Sequence, residues 1–198
     1  MGLELEYING QTPLDEDEKN GLLIPTIANR GELDEFEQQN IEEAIQWVLT
    51  RPLKVNKILT EKFVRNLHKQ MYGNVWSWAG DFRKTDKNIG INKWHISTAL
   101  KALLDDTLFW IEHETFTPDE IAVRFKHRIV SIHCFPNGNG RHSRLMADII
   151  VNKIYKLPVF SWGADNLVKK GDARSEYLNA IKIADKTIYG PLISFARS

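Results

Sequence analysis

Hydrophobic residues recur every three or four positions along most of this chain, a spacing that predicts amphipathic helices. One helix is predicted to begin at Leu33 and to end at Arg51 and Pro52. A second is predicted from Thr60 to Gly73, because threonine is a favourable N-cap and glycine a favourable residue at a helix end. The predicted buried faces comprise Phe36, Ile41, Ile45 and Val48 in the first helix, and Phe63, Val64, Leu67 and Met71 in the second.

The second half of the chain continues the helical pattern. Ser97 is the candidate N-cap of a helix through Glu114, and residues 117–120 combine a capping box with proline at the first helical position. Further helical patterns run from Gly140 to Lys156, from 172 to 186 and from 191 to 196. The helix that follows the capping box has an apolar stripe that ends at His133 and consists of Ile121, Phe125, Ile129 and Ile132.

Three segments lack this spacing. Residues 1–32 are predicted to form an irregular N-terminal arm, and residues 75–80, which are rich in tryptophan, a connection packed on the core. Residues 83–91 are polar, contain Asn88 and Gly90, and could form a small hairpin. The absence of strand-helix-strand alternation argues against a parallel sheet. We therefore predict a mostly α fold with a small β-hairpin, in which residues 33–198 form a single helical domain.

Composition narrows the functional classes. The length of 198 residues suits one domain. The 26 basic and 26 acidic residues cancel, so no general attraction to nucleic acid or to a membrane surface is expected. The single cysteine, Cys134, cannot form an internal disulfide, and no run of about 18 apolar residues is present. A cytoplasmic protein is the simplest interpretation.

The stretch from His133 to Arg144 carries the clearest chemistry. Glycines at 138 and 140 allow several backbone N–H groups to point at one spot, and a following helix adds the positive end of its dipole. Arg141 and Arg144 add positive charge, and His133 supplies a group that titrates near neutral pH. This combination favours a phosphate site with a general base beside it, and it matches neither a Walker loop nor a dinucleotide fingerprint.

The same residues allow other interpretations. A helix-turn-helix connection explains the glycines alone but needs neither the two arginines nor the histidine. His133 could be a core histidine that closes the apolar stripe. Zinc binding by His127, His133 and His142 is disfavoured, because the chain has no His-Glu-x-x-His pattern and the histidines do not share one helical face. A nucleophilic role for Cys134 is disfavoured by its place in an apolar strip.

The stretch resembles the signature of the Fic family, His-x-Phe-x-Asp/Glu-Gly-Asn-Gly-Arg-x-x-Arg. The matching residues are His133, Phe135, Gly138, Asn139, Gly140, Arg141 and Arg144. The likeness extends to Leu67-His68, to residues 78–83 and to residues 174–177, and spans roughly residues 59 to 195. It implies a helical enzyme that transfers AMP from ATP, with Mg²⁺ as cofactor, to a Ser, Thr or Tyr hydroxyl of a target protein and releases pyrophosphate.

The resemblance also implies roles for individual residues. His133 would deprotonate the acceptor hydroxyl, and the backbone of Gly138, Asn139 and Gly140 would hold the nucleotide phosphates. Arg141 and Arg144 would bind the β and γ phosphates. The polar stretch before residue 92 resembles the flap that docks the target, and it comprises Lys84, Thr85, Asp86, Lys87, Asn88, Ile89, Gly90 and Ile91.

Two departures from the family pattern stand out. Asn137 occupies the place of the carboxylate that holds magnesium, and a neutral amide should bind this hard cation less well. A nucleotide-binding or protein-interaction module with weak or altered chemistry is therefore the alternative to an AMP transferase. The chain also lacks the family's inhibitory glutamate motif, whose partner would be Arg144. A separate antitoxin-like inhibitor, as in a toxin-antitoxin pair, is the hypothesis that follows.

Overall fold

Helices dominate the structure, a computed structural model that describes residue 5, residues 12–163 and residues 172–198. A 3-10 turn spans Lys93–His95, and a π-helical turn spans Ile150–Ile154. The α-helices are α1 (Glu16–Lys19), α2 (Arg30–Leu49), α3 (Val55–Ile58), α4 (Glu61–Tyr72), α5 (Ile96–Glu112), α6 (Pro118–Ile132), α7 (Asn139–Ile149), α8 (Asp172–Ala184) and α9 (Gly190–Arg197).

The fold is centred on α6 and α7, which pack against each other and carry the 133–144 stretch at their junction. The α5 and α9 helices cover α6, while α2 packs against α4 on the other side. The apolar stripe of α6 is buried as predicted, and the connection at 75–80 inserts Trp76 into the core. The junction of α6 and α7 is therefore held from both sides.

Local capping explains the helices that were best predicted. The Thr60 hydroxyl accepts a hydrogen bond from the Phe63 N–H at 3.1 Å, and Gly73 follows the last residue of α4. The Thr117 hydroxyl accepts from the Glu120 N–H at 3.3 Å, with Pro118 in the first turn of α6. These caps satisfy N–H groups that have no partner inside the helix.

Several boundaries differ from the prediction. The α2 helix begins at Arg30, where the side chain of Asn29 caps the N–H of Glu32. The α5 helix begins at Ile96, because the 3-10 turn leads directly into it, so Ser97 lies inside the helix and is not its N-cap. The arm is not wholly irregular, since its acidic cluster forms the single turn of α1.

The prediction of the buried face of α2 was also partly wrong. Phe36 is 41% exposed, whereas Glu37, the next residue, is 3% exposed and lies in the core. The residues of α2 that are buried are Leu33, Glu37, Asn40, Ile41, Ala44 and Val48. The buried face of α2 follows helical spacing only when the polar residues Glu37 and Asn40 are included. A pattern of apolar residues alone does not identify these two positions.

The predicted hairpin at residues 83–91 is not observed, and the segment forms bends without a strand in the described part of the chain. The carbonyl groups of Thr85 and Ile91 both accept hydrogen bonds from the guanidinium of Arg83. The Arg83 side chain therefore occupies carbonyl groups that the backbone hydrogen bonds of a hairpin would otherwise use. We keep the name flap for residues 84–91.

None of the helices in the described ranges combines the length and the hydrophobicity that a membrane-spanning segment requires.

Candidate active site

The loop that joins α6 to α7 has backbone geometry set by its two ends. His133 caps α6 in the left-handed region, with φ 58° and ψ 61°, and its N–H donates to the Ile129 carbonyl at 3.2 Å. Gly138 precedes α7 with φ 78°, and a Cβ atom there would lie 2.5 Å from the Tyr72 ring. Glycine is thus required at 138 both for its conformation and for the close approach of Tyr72.

Asn139 closes this loop with its side chain. The Oδ1 atom accepts from the Phe135 N–H at 2.9 Å, and the Nδ2 atom donates to the Phe135 carbonyl at 2.8 Å. The Asn139 amide is thereby committed to the loop, which leaves the backbone as its means of reaching a ligand. The first N–H groups of α7, at Asn139, Gly140 and Arg141, have no acceptor inside the helix and lie at its positive end.

His68 of α4 fixes the other side of the loop. The Gly80 N–H donates to His68 Nδ1 at 3.0 Å, so the proton of the neutral ring is on Nε2, which lies 3.0 Å from the Asn137 carbonyl and donates to it. The ring stacks on Phe135 with centroids 3.7 Å apart. Burial, together with the nearby His142, lowers the pKa of His68 well below its usual range and keeps the ring neutral.

His133, the candidate base, is almost completely enclosed, with 4% of its surface exposed. Its Nε2 atom lies 3.2 Å from the hydroxyl oxygen of Thr12. Burial, reinforced by the positive charges of Arg83 and Lys87, lowers the pKa of His133 to about 4. The ring is therefore neutral at pH 7, and in the tautomer with the proton on Nδ1 its Nε2 atom would accept a hydrogen bond from the Thr12 hydroxyl.

Arg83 joins the flap to His133. Its Nε donates to the His133 carbonyl at 2.6 Å, and its terminal nitrogens donate to the carbonyls of Thr85, at 2.8 Å, and Ile91. None of the Arg83 side chain is exposed. Gly90, with φ 98°, lies so close to His133 that a Cβ atom there would be 2.6 Å from the histidine Cβ. Both ends of the flap are thus fixed beside the candidate base.

The two motif arginines have different surroundings. Arg141 donates to the Glu37 carboxylate at 2.5 Å, and the same carboxylate accepts from Trp76 Nε1 at 2.7 Å. Burial alone would lower the pKa of Arg141, but Glu37 raises it overall. The guanidinium also lies 5.2 Å from the Tyr72 ring centroid, within the range of a cation–π contact. Glu37 therefore holds Arg141 on the side of α7 that faces α2.

Arg144 lies on a different side, with its guanidinium 5.7 Å from the Tyr177 ring centroid. Lys126, a fully buried lysine, places its ammonium 4.5 Å from the same ring. Burial would raise the pKa of Tyr177, but the two cations lower it overall. Two cations, Lys126 and Arg144, thus lie against the ring of Tyr177.

The metal expected from the resemblance has one candidate ligand, Asn137. Its Oδ1 accepts from the Gly138 N–H at 2.6 Å, and its Nδ2 donates to the Thr12 carbonyl at 3.3 Å. Within residues 12–163 and 172–198, no group of three His, Cys, Asp or Glu side chains is placed to hold a metal. The described side chains therefore provide no cluster of charged ligands for magnesium, and the negative charge around a bound ion would come from nucleotide phosphates.

The three histidines of the zinc interpretation do not meet. His127 pairs with Asp185 at 2.8 Å, and His142 Nε2 lies 3.0 Å from the Val64 carbonyl. Burial raises the pKa of the Cys134 thiol to about 12, so this thiol is protonated at pH 7 and is a poor nucleophile. A zinc site formed by these histidines and a nucleophilic role for Cys134 are therefore both disfavoured.

Four residues of this site were not assigned a role from the sequence: Thr12, Glu37, His68 and Arg83. Each acts through a contact with a residue far away in the chain, such as the separation of 121 residues between Thr12 and His133. His68 and Arg83 lie in segments that resemble the family, and this resemblance was the one feature of the sequence that pointed to them. No feature of the sequence pointed to Thr12 or Glu37.

Residues 58–151 match the family model of the Fic/DOC family. Among curated relatives, the chain is 23% identical over 159 residues to a protein adenylyltransferase Fic of Aedes aegypti, covering 78% of this chain and 30% of the relative. It is 29% identical over 149 residues to the protein of the same name in Drosophila melanogaster, covering 71% of this chain and 28% of the relative. The chain thus spans less than a third of the length of these relatives.

Solved structures show the same fold. A fragment of Fic-1 from C. elegans superimposes with a TM-score of 0.68 at 20% identity, covering 90% of this chain and 51% of the fragment. A structure of the BepC protein of Bartonella tribocorum, solved with bound AMPPNP, has a TM-score of 0.65 at 16% identity, and the match covers 92% of this chain and 97% of the solved chain. The motif lies within the segment that the family model matches, so residues 58–151 of this chain are similar to the Fic/DOC family.

Proposed function

We propose that this protein transfers AMP from ATP to a Ser, Thr or Tyr hydroxyl of a target protein. The observation that carries the proposal is the hydrogen bond between a hydroxyl and the neutral ring of His133, at the junction where α7 begins. The names of the curated relatives support it, since they are protein adenylyltransferases. Nucleotide in related structures supports it as well, as AMPPNP in BepC and as ADP in a Fic domain of Bartonella quintana.

The charge and the position of each residue indicate its role in the reaction. His133 Nε2 accepts the proton of the acceptor hydroxyl, whose oxygen attacks the α-phosphorus of ATP as pyrophosphate leaves with the bonding electrons. The N–H groups at the start of α7 and the guanidinium groups of Arg141 and Arg144 stabilise the phosphate charge. Magnesium, when bound with ATP, supplies charge neutralisation, with Asn137 as its one candidate protein ligand.

The flap is the proposed docking site for the target. Its ends are fixed by Arg83 beside His133, so a bound segment is placed next to the base. Trp94, just after the flap, is 79% exposed, and Ile89 within it is 44% exposed. Exposed large apolar side chains next to a site favour contact with another protein.

The proposal is tested by incubating the purified chain with labelled ATP, Mg²⁺ and cell lysate. Labelled lysate proteins are expected with the wild type, and none with His133→Ala. A matched control is Cys134→Ala, which alters the adjacent buried thiol and should leave the labelling in place.

The alternative is a nucleotide-binding or protein-interaction module. It is favoured by the engagement of Asn137, whose amide is hydrogen-bonded to Gly138 and to Thr12 and brings no charge. ATP binding without any label transfer, in the same assay, would support this second function. A separate inhibitory protein also remains a proposal, and co-purification of the products encoded beside this chain tests it.

A further inference from the structure

Residues 12–18 occupy the surface where a target segment is proposed to bind. The Thr12 hydroxyl oxygen lies 3.2 Å from His133 Nε2, within the reach of a general base. The Thr12 carbonyl accepts a hydrogen bond from Asn137 Nδ2 at 3.3 Å. This segment is therefore a guide to how a target chain fits between the loop before α7 and the flap.

Lys87 of the flap holds this segment by charge. Its Nζ lies 2.8 Å from the Asp15 carboxylate and 2.5 Å from the Glu18 carboxylate, and 3% of its side chain is exposed. The Thr85 hydroxyl donates to the same Asp15 carboxylate at 2.6 Å. A charge that is shielded from water is screened less by salt than an exposed one. The flap therefore presents a sheltered ammonium group and a hydroxyl to two carboxylates.

The two carboxylates have fixed positions relative to the acceptor site. Asp15 lies three residues after Thr12 in the chain, and Glu18 lies six residues after it. Asp15 precedes α1, and its N–H donates to Glu18 Oε2 at 2.8 Å, so the first turn of the helix brings both carboxylates to one side. Leu14, between the acceptor site and the helix, is 6% exposed and lies in the core. A hydroxyl residue followed by a leucine and by a helix with two spaced carboxylates therefore fits this surface.

A target segment that docks on the flap has to replace residues 12–18, and it thereby removes both partners of Lys87. A sheltered ammonium group without a carboxylate is unfavourable, because nothing offsets its loss of hydration. Building on the AMP transfer proposed above, we propose that Lys87 is a specificity-determining residue. It selects acidic target segments, which carry carboxylates at the third and sixth positions after the acceptor residue.

The test measures AMP transfer from ATP to synthetic peptides by the purified full chain. One peptide contains Thr-Ala-Leu-Asp-Ala-Ala-Glu, and its matched partner has Asn and Gln in place of the two acidic residues. The acidic peptide should react with a kcat/KM about tenfold above that of the neutral peptide, as expected for close charge pairs between molecules. Lys87→Met should abolish this preference, and Lys87→Glu should reverse it in favour of a peptide with lysine at both positions.

Lys101→Glu is the matched control, because Lys101 lies on α5 in an exposed pair with Asp105, and it should keep the wild-type preference. The readout is a ratio of two peptides measured with one preparation, so a general loss of folded protein does not change it. The sites modified in lysate proteins give a second readout. Acidic residues should be enriched at the third and sixth positions after these sites with the wild type, and not with Lys87→Met.

Equal kcat/KM for the acidic and neutral peptides, or lysate sites without acidic enrichment, would overturn this inference while the labelling of lysate proteins leaves the proposed function standing. A preference that persists in Lys87→Met would also overturn it, since another residue would then select the carboxylates. Absence of transfer to every peptide and lysate protein would overturn both the inference and the proposed function.

Discussion

Replacement of Arg83 by lysine should release the flap. The Arg83 guanidinium donates to three carbonyl groups, those of His133, Thr85 and Ile91, and none of its side chain is exposed. A lysine ammonium cannot reach all three, because it is a single point donor on a flexible stem. The variant keeps the positive charge, so the change isolates the shape of the hydrogen-bonding group.

The expected magnitude follows from the number of bonds lost. Hydrogen bonds to a charged group contribute about 1.5 to 3 kcal/mol each, so the loss of two weakens the attachment of the flap by about 3 kcal/mol or more. Since about 1.4 kcal/mol corresponds to a factor of ten, opening of the flap should become about a hundredfold more frequent. AMP transfer to target proteins should fall, because the acceptor is no longer placed beside His133.

Hydrogen exchange measured by mass spectrometry on peptides that cover residues 83–92 is the direct assay. The N–H groups of Arg83 and Ile91, which donate to the carbonyls of Cys134 and Ile132, report on the attachment. Arg128→Lys is the matched control, because Arg128 forms a partly exposed pair with Asp106 and should change stability by less than about 1 kcal/mol. Flap exchange in Arg83→Lys within about threefold of the control would refute the reasoning, since threefold is below 1 kcal/mol.

Three further predictions concern buried charge. Glu37→Gln removes the carboxylate that neutralises Arg141, and urea unfolding should show a loss of about 3 kcal/mol, against less than about 1 kcal/mol for Asp105→Asn in an exposed pair. Asn137→Asp supplies a charged oxygen ligand, so half-maximal AMP transfer should need less Mg²⁺; an unchanged magnesium dependence would contradict the role of this position. The pKa values of His133 and His142 are lowered from 6.5 to about 4 in the folded protein. The unfolded chain therefore binds more protons than the folded protein between these pH values. The free energy of unfolding should be highest above pH 6.5 and should fall as the pH drops towards 4. Each of the two histidines should account for about 3 kcal/mol of this loss by the time the pH is below 4, measured by urea unfolding at several pH values.

The fold was predictable where one segment of sequence contains both a helix and its cap. Thr60 and Gly73 bound α4, and residues 117–120 start α6, because these interactions are made between neighbours in the sequence. The loop before α7 was predictable for a similar reason, since its glycines and arginines are close together in the chain. The candidate site could therefore be proposed from residues that are neighbours in the sequence.

What surrounds the site was less predictable, because it depends on contacts between distant segments. Glu37 lies among several acidic residues of α2, and the sequence alone does not distinguish the one carboxylate that is buried against Arg141 and Trp76. The flap was expected to be a hairpin, since the pattern does not reveal that Arg83 takes the carbonyls of both its ends. Thr12 reaches His133 only once the arm has folded back across the molecule.

We propose that the protein transfers AMP, and not another part of ATP, with His133 as the base. The most direct measurement compares ATP labelled at the α phosphate with ATP labelled at the γ phosphate, under identical conditions and with release of pyrophosphate followed in parallel. We expect protein labelling from α-labelled ATP only, one pyrophosphate released per label attached, and no labelling by His133→Ala. Labelling from γ-labelled ATP, or undiminished labelling by His133→Ala, would contradict it.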